Sequence, residues 1–200
     1  MNTDILKSKI QNLKSKAVFL DRDGTICEDV NYLSRPEQLE IFPFAAEAIR
    51  LLNENGFLVI LITNQSGIAR KFLDKNTLCE IHEKVVSELT EQNAKLDAIY
   101  FCPHNSVDNC ACRKPKTGMI KQANEDFSIG LEASWMIGDK AIDVETGFNA
   151  GTKTVLVLTG YGRKEIERIK KKPDLIAENL LEAVRKITNY ELRITNDFNT

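Results

Sequence analysis

Ala17-Val18-Phe19-Leu20 is an unbroken apolar run that ends in two carboxylates one residue apart, Asp21 and Asp23, followed by Gly24 and Thr25. Such a run reads as a strand buried on both faces, the kind found inside a parallel sheet. In open α/β sheets, ligands bind beyond the carboxyl ends of the strands, which is where the two aspartates fall. Carboxylates placed there can attack phosphorus, hold a divalent metal or transfer a proton. The competing reading is an acidic turn with Gly24 at its corner. The rest of the chain decides between them.

Residues 5–16 place Ile5, Leu6, Ile10 and Leu13 at helical spacing, which predicts a helical N-terminal extension over 1–16. Further strands are predicted over 57–62, 98–101, 134–137, 153–158 and 174–177. Helices are predicted over 44–55, 75–92, 117–127, 142–149, 163–170 and 179–187. This alternation implies an α/β domain over 17–187, a three-layer doubly wound parallel sheet, with a loosely attached tail over 188–200. Helix and strand use up the spacing from Asp23 to Thr63 and from Thr63 to Lys114, leaving no room for a cap domain. Water must then be excluded by the polar connection 26–42, by loop 64–73 and by a cysteine-rich loop.

That loop reads Cys102-Pro103-His104, then Cys110-Ala111-Cys112. Three thiolates and an imidazole suit tetrahedral Zn²⁺ with no open position, so the predicted zinc is structural and sets where Arg113 and Lys114 point. Met1-Asn2-Thr3-Asp4 lacks the start of an export signal, and a reducing, cytoplasmic setting favours a metal site over disulfides. A net charge of −2 offers no global field for nucleic acid or anionic membrane. No apolar run approaches the length of a membrane span, and no heptad seam argues against a monomer. Cys27 and Cys79 read as ordinary thiols, and His82 as a surface or core-edge residue.

Four clusters, at 21–25, 63–67, 112–114 and 138–143, would gather at one rim of such a sheet. With a phosphate there, Asp21 would be the nucleophile and Asp23 the acid and base. Thr63 and the amides after it would bind phosphate oxygens, and Lys114 would neutralise the transferring group. Asp139 would complete a Mg²⁺ site with Asp21 and the backbone carbonyl of Asp23. Asp143 would orient the metal shell or Lys140. Taken singly, Thr63-Asn64 also reads as a turn, Lys114 as a solvated charge and Asp139 as a helix cap.

Asp21-Arg22-Asp23-Gly24-Thr25, Thr63-Asn64-Gln65-Ser66-Gly67-Ile68, Cys112-Arg113-Lys114-Pro115 and Gly138-Asp139-Lys140 resemble the four motifs of haloacid-dehalogenase-like (HAD) phosphatases. Within that superfamily they resemble the D-glycero-D-manno-heptose 1,7-bisphosphate 7-phosphatases and the related histidinol-phosphate phosphatases. The resemblance implies a Mg²⁺-dependent phosphatase with an aspartyl-phosphate intermediate, serving nucleotide-activated heptose biosynthesis. It implies catalytic roles for Asp21, Asp23, Thr63 and Lys114, with Mg²⁺ on Asp21, Asp23 and Asp139. Substrate contacts are implied at Asp29, Val30, Asn31, Tyr32, Thr63, Asn64, Gln65, Ser66, Arg113, Lys114 and Lys140. The zinc loop is shorter than in many relatives, with five residues between His104 and Cys110.

An uncapped site should accept an extended polar substrate such as a sugar carrying a second phosphate. Arg35, Arg70, Lys71, Arg113 and Lys140 are candidates to pair with that charge. Histidinol phosphate, with its cationic amine, would prefer an acidic pocket. A nucleic-acid 3′-phosphatase lacks support from the charge balance. A non-catalytic zinc-clasped interaction domain would leave Asp21 and Asp23 without a purpose.

Overall fold

The computed structural model describes residues 14–197, with side chains through residue 189. Six strands make one sheet: β1 (Ala17–Leu20), β2 (Leu58–Asn64), β3 (Ala98–Cys102), β4 (Trp135–Gly138), β5 (Lys153–Val157) and β6 (Leu175–Ala177). Their order is β3-β2-β1-β4-β5-β6, and every neighbouring pair is parallel. The helices are α1 (Ala45–Glu54), α2 (Lys75–Thr90), α3 (Gly118–Phe127), α4 (Ala141–Ala150), the short α5 (Gly162–Glu165) and α6 (Leu180–Asp197). This is the α/β doubly wound sheet that the alternation predicts.

All four residues of β1 are buried, because both its edges are paired and both its faces are covered. Val18 and Leu20 pack into the core beneath α1, α2 and α6, whereas Ala17 and Phe19 pack with Met119, Ile120 and Ala123 of α3. The twofold alternation of a strand thus divides one uniform apolar run between two cores. The order reverses between β1 and β4, and at such a switch point a crevice opens beyond the strand ends. Leu20 is level with Leu61 of β2 and Ile137 of β4, so Asp21, Thr63 and Asp139 emerge together on that rim.

Beyond β1 the chain doubles back on itself. The Glu28 N–H donates to Glu40 O and the Phe42 N–H to Ile26 O, both at 3.0 Å. This loop, predicted to be a long polar connection, therefore folds back on itself through an isolated antiparallel Cys27–Ile41 bridge and contains one 3₁₀ turn, Pro36–Gln38.

Three boundaries differ from expectation by more than two residues. Helix α6 runs to Asp197, past the predicted end at 187, because residues 188–197 contain no glycine or proline to stop it. Thr188, the predicted start of the loose tail, is buried, and its hydroxyl donates to Val184 O at 3.1 Å. The helix predicted over 163–170 is only Gly162–Glu165 and a 3₁₀ turn, Ile166–Arg168. Three successive lysines and Pro173 disfavour its continuation. Residues 1–13 of the predicted N-terminal helix lie outside the described residues. At its described end the chain is not helical: the Gly130 N–H donates to Ser15 O at 2.8 Å, beside a Ser15–Ile129 bridge. Among the described residues no helix is long and apolar enough to cross a membrane.

Candidate active site

Asp21 leaves the end of β1 with its N–H donating to Ile137 O at 3.0 Å. Lys114 reaches it from the loop after β3. The Lys114 Nζ lies 2.8 Å from Asp21 Oδ1 and 2.7 Å from Asp143 Oδ1, and donates to Ile62 O at 3.2 Å. Asn64, at the tip of β2, fixes the approach by gripping the Lys114 backbone twice. Its Oδ1 accepts the Lys114 N–H at 3.0 Å and its Nδ2 donates to Lys114 O at 3.3 Å. Burial works against the Lys114 ammonium, but Asp143 and Asp21 outweigh it and raise its pKa.

Carboxylate oxygens of Asp21, Asp139 and Asp143 lie within 4.8 Å of one another, and all three residues are buried. Asp139 Oδ2 accepts the Tyr161 N–H at 2.8 Å, while its Oδ1 has no hydrogen-bond partner among the described residues. Burial, and then the charges of Asp21 and Asp143, push the Asp139 carboxyl up to about 8. One lysine does not balance three converging carboxylates, and an orphaned buried oxygen calls for a ligand. An oxygen-coordinated divalent cation such as Mg²⁺ fits both. Glycines permit the close approach. A Cβ on Gly24, at φ +80°, would stand 2.3 Å from Asp139 Oδ2, and a Cβ on Gly160 would stand equally near the same oxygen.

The Asp23 carboxylate lies outside that trio. Arg22 forks onto it, Nε to Oδ1 and Nη2 to Oδ2, each at 3.0 Å. Gln65 Nε2 donates to Asp23 Oδ2 at 3.1 Å and to Thr63 Oγ1 at 2.8 Å, so the loop after β2 touches the loop after β1 directly. Above Asp23 opens a cleft of about 280 Å³ lined by Asp29, Asn31, Tyr32, Asn64, Gln65, Ser66, Lys140 and Tyr161, among others. At its wall the Lys140 Nζ meets Asp29 Oδ2 at 2.7 Å. Burial opposes the Asp29 carboxylate, but that contact outweighs it and lowers its pKa.

The cleft does not take in every residue expected there. Val30 is exposed and does not line it. Arg113 does not line it either; its Nη1 donates to His104 O at 3.1 Å. Of the five bases singled out for a second phosphate, Lys140 alone lines this cleft. Arg70 instead joins loops, donating to Asn105 Oδ1 at 3.3 Å and lying over the Tyr32 ring. Asp143, expected to orient the metal shell or Lys140, accepts the Lys140 N–H through Oδ2 at 3.1 Å and also meets Lys114 through Oδ1.

The four residues of the cysteine loop converge. Cys102, Cys110 and Cys112 hold their sulfurs 3.1–3.5 Å apart, and His104 Nδ1 lies 3.3 Å from Cys112 and 3.6 Å from Cys102. Tetrahedral Zn²⁺ with Zn–S of about 2.3 Å would separate sulfurs by about 3.8 Å, so this set fits a closed zinc site with little adjustment.

Sequence reasoning missed two contributions. Arg22 is 1% exposed beneath Asp23, and His82 backs it with Nε2 3.3 Å from Arg22 Nη1. Thr159-Gly160-Tyr161, after β5, also reaches the site. The Thr159 hydroxyl donates to Gly24 O at 2.6 Å, and Tyr161 both lines the cleft and binds Asp139. A glycine-containing turn after a fifth parallel strand, on the same rim as the other four clusters, was the available signal.

A family profile described as HAD-hydrolase-like matches residues 111–183. The D-glycero-D-manno-heptose-1,7-bisphosphate 7-phosphatase of Thermosynechococcus vestitus is 38% identical over 188 residues, covering 87% of this chain and 96% of that protein. The D-glycero-β-D-manno-heptose-1,7-bisphosphate 7-phosphatase of Haemophilus influenzae is 40% identical, covering 73% of this chain and 83% of that one. The crystal structure of the D,D-heptose 1,7-bisphosphate phosphatase from B. bronchiseptica, complexed with magnesium and phosphate, superposes with a TM-score of 0.83 at 33% identity. It covers 88% of this chain and 99% of that structure. With identity at that level along nearly the whole described domain, the chain belongs to the D-glycero-D-manno-heptose-1,7-bisphosphate 7-phosphatase family of HAD-like hydrolases.

Proposed function

We propose that this chain hydrolyses the 7-phosphate of D-glycero-D-manno-heptose 1,7-bisphosphate. The observation that carries the reading is the buried Asp21–Lys114–Asp143 contact beside the unpartnered Asp139 oxygen, with Asp23 poised at the cleft. Asp21 Oδ attacks phosphorus, the bond from phosphorus to the sugar oxygen breaks, and Asp23 gives that oxygen a proton. Water then attacks the phosphorus of the aspartyl phosphate and gives its proton to Asp23, releasing phosphate and restoring Asp21. Lys114 and Thr63 hold charge on the phosphoryl oxygens. Asp21, Asp139 and the Asp23 carbonyl would hold Mg²⁺, which when bound would supply charge stabilisation on those oxygens. Asp29, Asn31, Tyr32 and Lys140 receive the sugar, and Cys102, His104, Cys110 and Cys112 would hold a structural zinc that fixes the loop leading to Lys114.

Phosphate release with Mg²⁺ present, from both anomers of the bisphosphate and from histidinol phosphate, tests the reading. One heptose bisphosphate anomer should exceed histidinol phosphate in kcat/KM by about a hundredfold or more. The reverse order would overturn the substrate and leave the aspartyl-phosphate chemistry standing.

A further inference from the structure

His82 faces two ways. On one side it lines a groove of about 760 Å³ between α2 and the edge strand β3, and on the other it touches Arg22, which lines the cleft. Arg22 spends Nε and Nη2 on the two oxygens of Asp23, which leaves Nη1 to be satisfied. The partner at 3.3 Å is His82 Nε2. A guanidinium has only donors, so His82 must present a lone pair there and carry its proton on Nδ1. Burial, and then the Arg22 charge, hold the His82 pKa down to about 3, which keeps the ring neutral. The ring is itself held edge-on to Phe101, with centroids 5.9 Å apart.

We propose that Arg22 and His82 are a positioning pair that fixes the Asp23 carboxylate at the angle from which it exchanges protons with the leaving oxygen and the attacking water. The inference rests on the role given to Asp23 above. Arg22 sets the plane of the carboxylate through two parallel bonds, and His82 stops the guanidinium from swinging. Without that third anchor the fork can turn, and Gln65, which bonds one Asp23 oxygen, cannot by itself hold the carboxylate plane. A displacement of about 1 Å in a reacting group can cost on the order of a hundredfold in rate.

Three variants separate positioning from packing. His82→Leu fills the space but accepts no hydrogen bond, and should lower kcat by roughly tenfold or more, with KM little changed. His82→Gln offers an amide oxygen and should recover most of that loss. His82→Ala extends the groove to Arg22, so imidazole added to this variant should restore turnover while thiophene, a ring of similar size without a strong acceptor, should not. Wild-type turnover in His82→Leu, or an imidazole-insensitive His82→Ala, would overturn the pairing. A readout independent of substrate is the ¹H–¹⁵N spectrum of the Arg22 guanidinium. Its protons should exchange slowly in the wild type and shift or broaden in His82→Leu. Identical spectra would refute the pair even if the substrate assignment were wrong, and altered spectra with no heptose bisphosphate turnover would indict the substrate alone.

Discussion

The Lys114 ammonium stands 2.8 Å from the Asp21 carboxylate, although the two arrive from the ends of different strands. That contact adjoins two further buried carboxylates, Asp139 and Asp143, so its charge serves the fold as well as the proposed chemistry. Lys114→Met keeps most of the side-chain volume and removes the charge. Turnover should fall by about 10³ or more. Stability without divalent cations should drop by about 3–5 kcal/mol, the usual cost of leaving buried charges without their partner. Saturating Mg²⁺ should recover part of the melting temperature and none of the turnover. A variant that melts like the wild type would show that the three carboxylates do not depend on Lys114.

The zinc loop makes a different prediction, because its ligands lie outside the cleft and Lys114 follows the last of them by two residues. Cys112→Ser should release zinc, measured as metal content per chain. It should also lower kcat, since the Asn64 grip on Lys114 is set by where the loop ends. A zinc-free protein with undiminished kcat would uncouple the clasp from Lys114.

Much of this was legible in the chain. The apolar run of β1, the alternation of strand and helix, and the four strand-end clusters were enough for the sheet and for the gathering of Asp21, Asp23, Lys114 and Asp139 at one rim. Arg22 and His82 were also encoded, but in a less obvious register. Arg22 continues the even-numbered face of Val18 and Leu20, which packs beneath α2. His82 falls on the inward face of α2 with Leu78, Ile81, Val85 and Leu89. A polar residue on an apolar face has a partner or a cost, and here each is the other's partner. The reach of Arg113 and the end of α6 were not legible. The first depends on how the metal loop folds, and the second on a polar stretch without a stop signal.

The burial of His82 also predicts how stability depends on pH. Its pKa falls from 6.5 in the unfolded chain to about 3 in the fold, so between those values the unfolded chain binds a proton that the native state excludes. Stability must therefore fall as pH drops below 6.5 and continue to fall until about 3, by up to about 1.4 kcal/mol per pH unit from this group. His82→Gln cannot take up that proton. The stability difference between wild type and variant, from urea titrations at several pH values, should shift toward the variant as pH falls. A constant difference from pH 7 to pH 4 would mean that His82 titrates alike in both states.

Gly24 and Gly56 share a left-handed backbone, φ +80° and +73°, but not their surroundings. A Cβ at Gly56 meets nothing within 4 Å, so Gly56→Ala should cost only the strain of its conformation, about 1 kcal/mol. A Cβ at Gly24 would stand 2.3 Å from Asp139 Oδ2 and drive that carboxylate from the Tyr161 N–H it accepts. Gly24→Ala should therefore weaken Mg²⁺ binding, read by calorimetry, and lower turnover at subsaturating metal more than its melting temperature alone would suggest. Raising Mg²⁺ should recover turnover in part. Equal effects of the two substitutions on metal affinity would remove Asp139 from the metal site.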